Sequence, residues 1–271
     1  MPEGDTIWRT ARTLHAALAG KTVLAFASSL PAVTLASRRL GVVGRTLEAV
    51  EAQGKHLLVR FAGGAVLHAH QGMRGSWRLH RRGVSTRWPL SARAVIETAD
   101  VVAVCSLSPV VEMLSPSQAA AHPALARLGP DLLGPGFDPA TARRRLRARG
   151  DRAIGTALVD QTALAGIGNV YKSEVLFVCR VSPFARVRDL DDATIDRLVA
   201  QARELLRRNL GPGPRRTASA LTPGRLWVYR RSGQPCRRCG TAIERRVQGE
   251  EARSTYFCSV CQRSTSRPPE G

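Results

Sequence analysis

Lysine is nearly absent from this chain. Of 41 basic residues in 271, only Lys21, Lys55 and Lys172 are lysine, so chemistry that needs a side-chain amine has few candidates. No apolar run approaches the ~18–20 residues of a membrane-spanning helix. The opening Met1-Pro2-Glu3-Gly4-Asp5 lacks the basic-then-apolar pattern of a secretory leader, which leaves a soluble cytoplasmic protein as the expectation. Acidic residues are scarce too: 21 against 41 basic, a net charge of +20. That balance suits a polyanion, because each phosphate neutralised by Arg or Lys releases a condensed counterion. Residues 201–271 concentrate it, with 15 Arg and 5 acids.

What is present is apolar enough to fold. The 44% hydrophobic fraction argues against global disorder, and the length fits one or two domains. The six cysteines do not make a disulfide framework. Cys236, Cys239, Cys258 and Cys261 form two CxxC pairs 18 residues apart, the spacing of a four-cysteine zinc site. Four thiolates leave no open position for water, so one structural zinc is expected. Cys105 and Cys179 lie in apolar company and read as core.

Along the chain, Ile7, Trp8, Ala11, Leu14 and Leu18 predict a helix over 4–19, with Asp5 as a possible cap and Gly20 as its stop. Residues 23–106 carry short β-type runs with turn signals, the pattern of a sandwich or barrel. A Pro/Gly-rich stretch at 129–136 marks a boundary. Beyond it the spacing predicts helices at 138–149, 152–162, 169–178 and 191–210. Residues 211–225 read as an exposed basic loop, and the cysteine module closes the chain.

Four elements carry chemistry. Pro2, exposed by loss of Met1, would be a secondary amine with an α-amino pKa of ~7.7–8.0 and so partly unprotonated at neutral pH. Such an amine can form an iminium with a sugar aldehyde, and Glu3 beside it can serve as general acid/base. Lys55, in Gln53-Gly54-Lys55-His56, stands at an apparent turn between strands and can project a cation toward a phosphate. The glycine-punctuated turn Gly166-Ile167-Gly168-Asn169 between helical patterns places Asn169 as a helix cap that can present an amide and backbone N–H groups to an anion. Arg253, at the tip of the zinc module, would be held rigid for bidentate phosphate contact.

These elements, with His68-Ala69-His70-Gln71-Gly72-Met73 and Leu128-Gly129-Pro130-Asp131, resemble the formamidopyrimidine-DNA glycosylase/endonuclease VIII family over residues 2 to about 263. The resemblance implies a two-domain α+β protein, with an N-terminal helix and β-sandwich in residues 1–128 and a linker over 129–137. A helix–two-turn–helix domain would follow at 138–228, then a four-cysteine zinc finger at 229–263 and a tail at 264–271. It also implies a bifunctional DNA glycosylase/AP lyase of base-excision repair. Pro2 would attack C1′, Glu3 would act as acid/base, and Lys55 would contact phosphate. Asn169 and Arg253 would bind the flanking phosphates, with Arg253 also needed for elimination. Met73 would fill the gap left by a flipped base. The expected partner is duplex DNA with a damaged base or abasic site, bound by a monomer. Asp5-Thr6 departs from the Pro-Glu many members carry, Gly72 and Arg74 flank Met73 without bulky neighbours, and 211–225 is too short for an oxidised-purine lid. Oxidised pyrimidines are therefore favoured. An oxidised-purine glycosylase, a non-cutting lesion binder and a zinc-ribbon RNA binder remain as alternatives.

Overall fold

The computed structural model describes residues 2–83, 88–89 and 91–263. The expected tail, and Met1, lie outside the described residues. The chain divides into two units, Met1–Arg127 and Leu128–Gly271.

The first unit is a helix laid on a β-sandwich. Helix α1 (Gly4–Leu18) buries Ile7, Ala11, Leu14 and Leu18 along one stripe. Glu3, not Asp5, occupies its cap position. The chain turns helical at Gly4, and the N–H groups of Thr6 and Ile7 close on the Glu3 carbonyl, leaving Asp5 buried inside the first turn. One antiparallel sheet runs β2 (Leu47–Gln53), β3 (His56–Phe61), β4 (Val66–His70) and β8 (Val110–Leu114). The other orders as β1 (Ala25–Ala27), β6 (Ala92–Glu97), β7 (Val101–Ser106) and β5 (Ser76–Arg81). Alternate residues of the two sheets, among them Leu57, Val59, Phe61, Leu67, Ile96 and Cys105, form one core with the α1 stripe. A helix, α2 (Pro31–Arg39), interrupts the stretch expected to be purely β. Pro31 sits in its first turn, and Gly41 follows its end at φ +59°, the local start and stop signals of a short helix. Two short helices, α3 (Pro116–Ala120) and α4 (Pro123–Ala126), end the unit.

The second unit is helical, closed by a β-hairpin. Helix α5 (Pro139–Arg147) begins at Asp138, whose carboxylate accepts from the N–H groups of Ala140 and Thr141. Only α6 (Ile154–Ala157) forms in the stretch expected to be helical over 152–162. Asp160 accepts from the Thr162 N–H and hydroxyl, and this local loop competes with further helix. Helix α7 (Asn169–Val178) and helix α8 (Asp192–Arg208) complete the bundle, the latter burying Ile195, Leu198, Val199, Ala202, Leu205 and Leu206. Strands β9 (Glu244–Gln248) and β10 (Arg253–Phe257) pair antiparallel. The hairpin packs on the bundle through Phe177, Val228, Cys236, Ile243 and Cys258. Gly155 permits this approach, because a Cβ there would meet Gln248 Oε1 at 2.5 Å.

Helix α7 is buried along nearly its whole length, polar residues included. The fully buried Glu174 carboxyl accepts from the N–H groups of Trp227, Val228 and Tyr229 at 2.8–2.9 Å and from the Thr217 hydroxyl. Replacing it with alanine strands four donors, the Val228 N–H and the Thr217 hydroxyl buried among them, each buried one costing ~1–3 kcal/mol. Glu174→Ala should therefore lower stability by roughly 3 kcal/mol or more in chemical denaturation. A loss under about 1 kcal/mol would mean that the 217–229 segment is held by something else.

Candidate nucleic-acid interface and zinc module

In the first unit, two turns leave the same end of the β2–β3–β4–β8 sheet. Gln53 pairs with His56, so Gly54 and Lys55 form a two-residue hairpin, with Gly54 at φ +58° in the position where such a turn takes glycine. His56 in turn pairs with His70, which brings the 71–75 turn beside Lys55. At that turn Met73 is 76% exposed, an unusual placement for a large apolar side chain. Next to it the Gln71 side chain is buried, and its Nε2 has no hydrogen-bond partner. Pro2 lies at the head of α1, and the Glu3 side chain following it is fully buried.

The second unit brings Asn169 and Arg253 together. Asn169 is not the cap of α7. The extended Gly168 takes that position, and Asn169, the first helical residue, donates from Nδ2 to the Ser254 carbonyl at 2.6 Å. Its Oδ1 is buried without a partner. Arg253 precedes Ser254 and is the first residue of β10, paired with Gln248, rather than the hairpin tip. The positive-φ residues Gly249 and Ala252 turn the chain before it. Its guanidinium is ion-paired with Glu251. Along the same helix–strand contact, Lys172 Nζ donates to Thr255 Oγ1 at 2.7 Å, and the Tyr256 N–H donates to Ser173 Oγ. A cleft of about 530 Å³ opens here, lined by Arg152, Asp160, Lys172, Gln248, Glu251 and Arg253 among others.

The loop at 211–225 is exposed over most of its length, as expected, and is anchored at its middle. Asn209 accepts from the Arg216 N–H and donates to its carbonyl, Thr217 and Ala218 are buried, and Arg215 stacks 4.9 Å from the Tyr171 ring centroid. Leu221 stays 96% exposed.

The four sulfurs of Cys236, Cys239, Cys258 and Cys261 all lie within 4.8 Å of one another. Cys236 Sγ is 3.9 Å from Cys261 Sγ, and Cys239 Sγ 3.5 Å from Cys258 Sγ. Zn–S bonds of ~2.3 Å in a tetrahedron put sulfurs about 3.8 Å apart, so the set fits zinc. The Arg238 N–H points at Cys236 Sγ and the Cys261 N–H at Cys258 Sγ, donors suited to thiolates. Hydrogen bonds from Thr241 pull the Cys239 thiol down to about 6.

A group that the motif reading did not single out for chemistry also emerges. His56, His68, His70, His122 and Glu112 cluster on the polar face of the β3–β4–β8 sheet or beside it. Burial, then the neighbouring imidazoles and Lys55, pushes His56 down to about 3. Burial also holds His68 and His70 below the usual histidine range. The alternation His68-x-His70, which puts both on one strand face, was the signal available in the sequence.

Three family descriptions match: "Formamidopyrimidine-DNA glycosylase N-terminal domain" over residues 1–106, "Formamidopyrimidine-DNA glycosylase H2TH domain" over 128–219, and "Zinc finger found in FPG and IleRS" over 233–263. A probable endonuclease 8 2 of Streptomyces coelicolor is 41% identical, covering 100% of this chain and 97% of its own. The chain belongs to the formamidopyrimidine-DNA glycosylase/endonuclease VIII family. Its members are DNA-repair glycosylases and lyases with a zinc finger, and this chain is an enzyme of that kind. A DNA-(apurinic or apyrimidinic site) lyase Nei2 of Mycolicibacterium smegmatis is 42% identical, covering 97% of this chain and 99% of that one. The Lactococcus lactis Fpg bound to abasic-site DNA shares the fold, with a TM-score of 0.81 at 24% identity, covering 97% of this chain and 100% of that chain. Among the described residues of this family member, no helix is long and apolar enough to cross a membrane.

Metal and fold are coupled in a module this small. Cys258→Ser should therefore lose the ion and weaken DNA binding, read by metal analysis together with a binding titration. Unchanged metal content and affinity would count against a zinc-dependent finger.

Proposed function

We propose that this chain is a bifunctional DNA glycosylase/AP lyase of base-excision repair, acting as a monomer in the cytoplasm on oxidised bases in duplex DNA, pyrimidines above all. The reading rests on Glu3, an acidic side chain buried directly beside a residue that becomes a secondary-amine terminus when Met1 is removed. The relatives at 41–42% identity, one of them named as a lyase, support it.

In this reading Pro2 nitrogen attacks C1′ of the damaged nucleotide and the glycosidic bond breaks, releasing the base. The Glu3 carboxylate takes the N–H proton that Pro2 gives up on bonding to C1′ and hands it to the sugar ring oxygen as the ring opens to the iminium, ending as a carboxylate again, while the departing base takes a proton from water. Loss of a C2′ proton expels the 3′ phosphate, and a second elimination expels the 5′ phosphate, leaving a one-nucleotide gap. Hydrolysis of the iminium frees Pro2. Lys55 holds a phosphate and assists. Asn169 and Arg253, joined through Ser254, hold the phosphates flanking the lesion, and Arg253 leaves Glu251 for its phosphate. Met73, already exposed, fills the stack vacated by the flipped base. The four cysteines hold one structural zinc in a finger spanning 229–263, after a helix–two-turn–helix region at 138–228. Support for pyrimidines comes from the 211–225 segment, which is short and is pinned to the helical unit at Thr217 and Ala218.

Borohydride trapping on a duplex with one abasic site tests the mechanism. A stable adduct should form and map to Pro2, and Pro2→Gly should cripple base removal while keeping much of the DNA affinity. Glu3→Gln should slow excision by about 10²–10⁴-fold. Tight binding without an adduct, on protein lacking Met1 and holding zinc, would instead identify a non-cutting lesion binder. Raising salt from about 50 to 200 mM should weaken binding by roughly 10³-fold or more if at least six phosphates are contacted. A flat response would contradict the polyanion interface.

A further inference from the structure

The histidine cluster of the first unit has a geometry that the proposed DNA chemistry leaves unused. Three of its groups converge on one point. His68 Nδ1 lies 2.8 Å, and His122 Nε2 3.0 Å, from the same oxygen, Glu112 Oε2. One ligand atom from each of the three lies within 4.8 Å of the other two. Metal–ligand bonds of ~2.0–2.1 Å at tetrahedral angles place N and O about 3.3 Å apart, so each histidine–carboxylate pair would need to open by only a few tenths of an ångström to admit an ion.

The scaffold is rigid where it needs to be. His68 and Glu112 are direct cross-strand partners in the β4–β8 register, which puts both side chains on one face, as cross-strand pairs require. His122 arrives from the cap position of α4, immediately after the α3 turn. Glu112 is 43% exposed while His68 is 1% exposed, so solvent can reach the carboxylate side and occupy open positions.

A supporting partner is also in place. A histidine that binds a metal through Nδ1 must carry its proton on Nε2, and ligating imidazoles donate that proton to a fixed acceptor. His68 Nε2 lies 2.8 Å from His56 Nδ1, which can accept it. His56 directly follows Lys55, so the cluster is one hydrogen bond from the hairpin that carries the lysine.

We propose that His68, His122 and Glu112 form a second divalent-metal site, a two-histidine, one-carboxylate set for a zinc-class transition ion, separate from the four-cysteine finger. Imidazole and carboxylate donors suit zinc, cobalt, nickel or ferrous iron rather than magnesium or calcium. Three protein ligands leave at least one position open to water, unlike the closed thiolate site.

The test uses the full chain with its finger loaded. Zn2+ is titrated against a chromophoric chelator, and Co2+ is added separately to the zinc-loaded protein. The wild type should take up one further equivalent of Zn2+, and bound Co2+ should show weak visible bands without thiolate charge transfer. His122→Ala and Glu112→Gln should each abolish that equivalent while keeping the finger's zinc and the thermal melt. His56→Ala, which removes only the supporting partner, should weaken it by about 10–100-fold. Only one zinc per wild-type chain would overturn the proposal. So would a second equivalent that survives both ligand substitutions, or cobalt bands of thiolate character. If His122→Ala fails to fold, Glu112→Gln decides the matter alone, since it preserves shape and removes the charge.

Discussion

The second unit depends on the burial of one polar helix. Helix α7 places Asn169, Lys172, Ser173 and Glu174 out of water, a costly arrangement unless each finds a partner. Asn169, Lys172 and Ser173 meet Ser254, Thr255 and Tyr256 in step along β10, and Glu174 gathers the backbone of 227–229. The helix thereby registers the zinc module residue by residue and the loop before it. Arg238 completes the contact, lying 4.4 Å from the Phe177 ring centroid and donating to the Phe177 carbonyl. The zinc-finger module is thus seated against groups that need it for their own hydrogen bonds. This interdependence ties Asn169 to the residue next to Arg253, as the proposed contact of the two with neighbouring phosphates requires.

The first unit solves a different problem. Its sandwich supplies a rigid apolar core, and its functional groups stand where strands end or on the outward face. The β3–β4 register pairs His56 with His70 and so brings the turns that carry Lys55 and Met73 to one end of the sheet. The His56–His68–Glu112 chain runs across the same sheet toward α4.

Sequence pattern revealed the elements whose signals are local. The α1 stripe, the span of α7 and the face of α8 follow from helical spacing, and the four cysteines from their intervals. It failed where tertiary contacts decide. Asp5 and Asn169 look like caps by residue type, yet each lies one or two positions inside its helix, because the chain turned at an extended Glu3 or Gly168. Asn169 found a better partner in Ser254, 85 residues away, which no window around it contains. Arg253 looks like a hairpin-tip residue by its distance from the cysteines, yet the turn is made by 249–252 and Arg253 opens β10. The cluster around Glu112 joins residues from β3, β4, β8 and the start of α4, and only strand pairing reveals it.

The placement of the three lysines also shapes what this surface can do to reactive DNA. Lys172 is buried against Thr255, and Lys21 is clasped by Asp100. Guanidinium groups, which carry almost all the positive charge, stay protonated and attract phosphate without behaving as amines. In the proposed reaction, an aldehyde on the opened sugar would meet many guanidinium groups and few lysine amines, which limits stray imine formation. The protein separates electrostatic grip from carbonyl reactivity by its choice of basic residue.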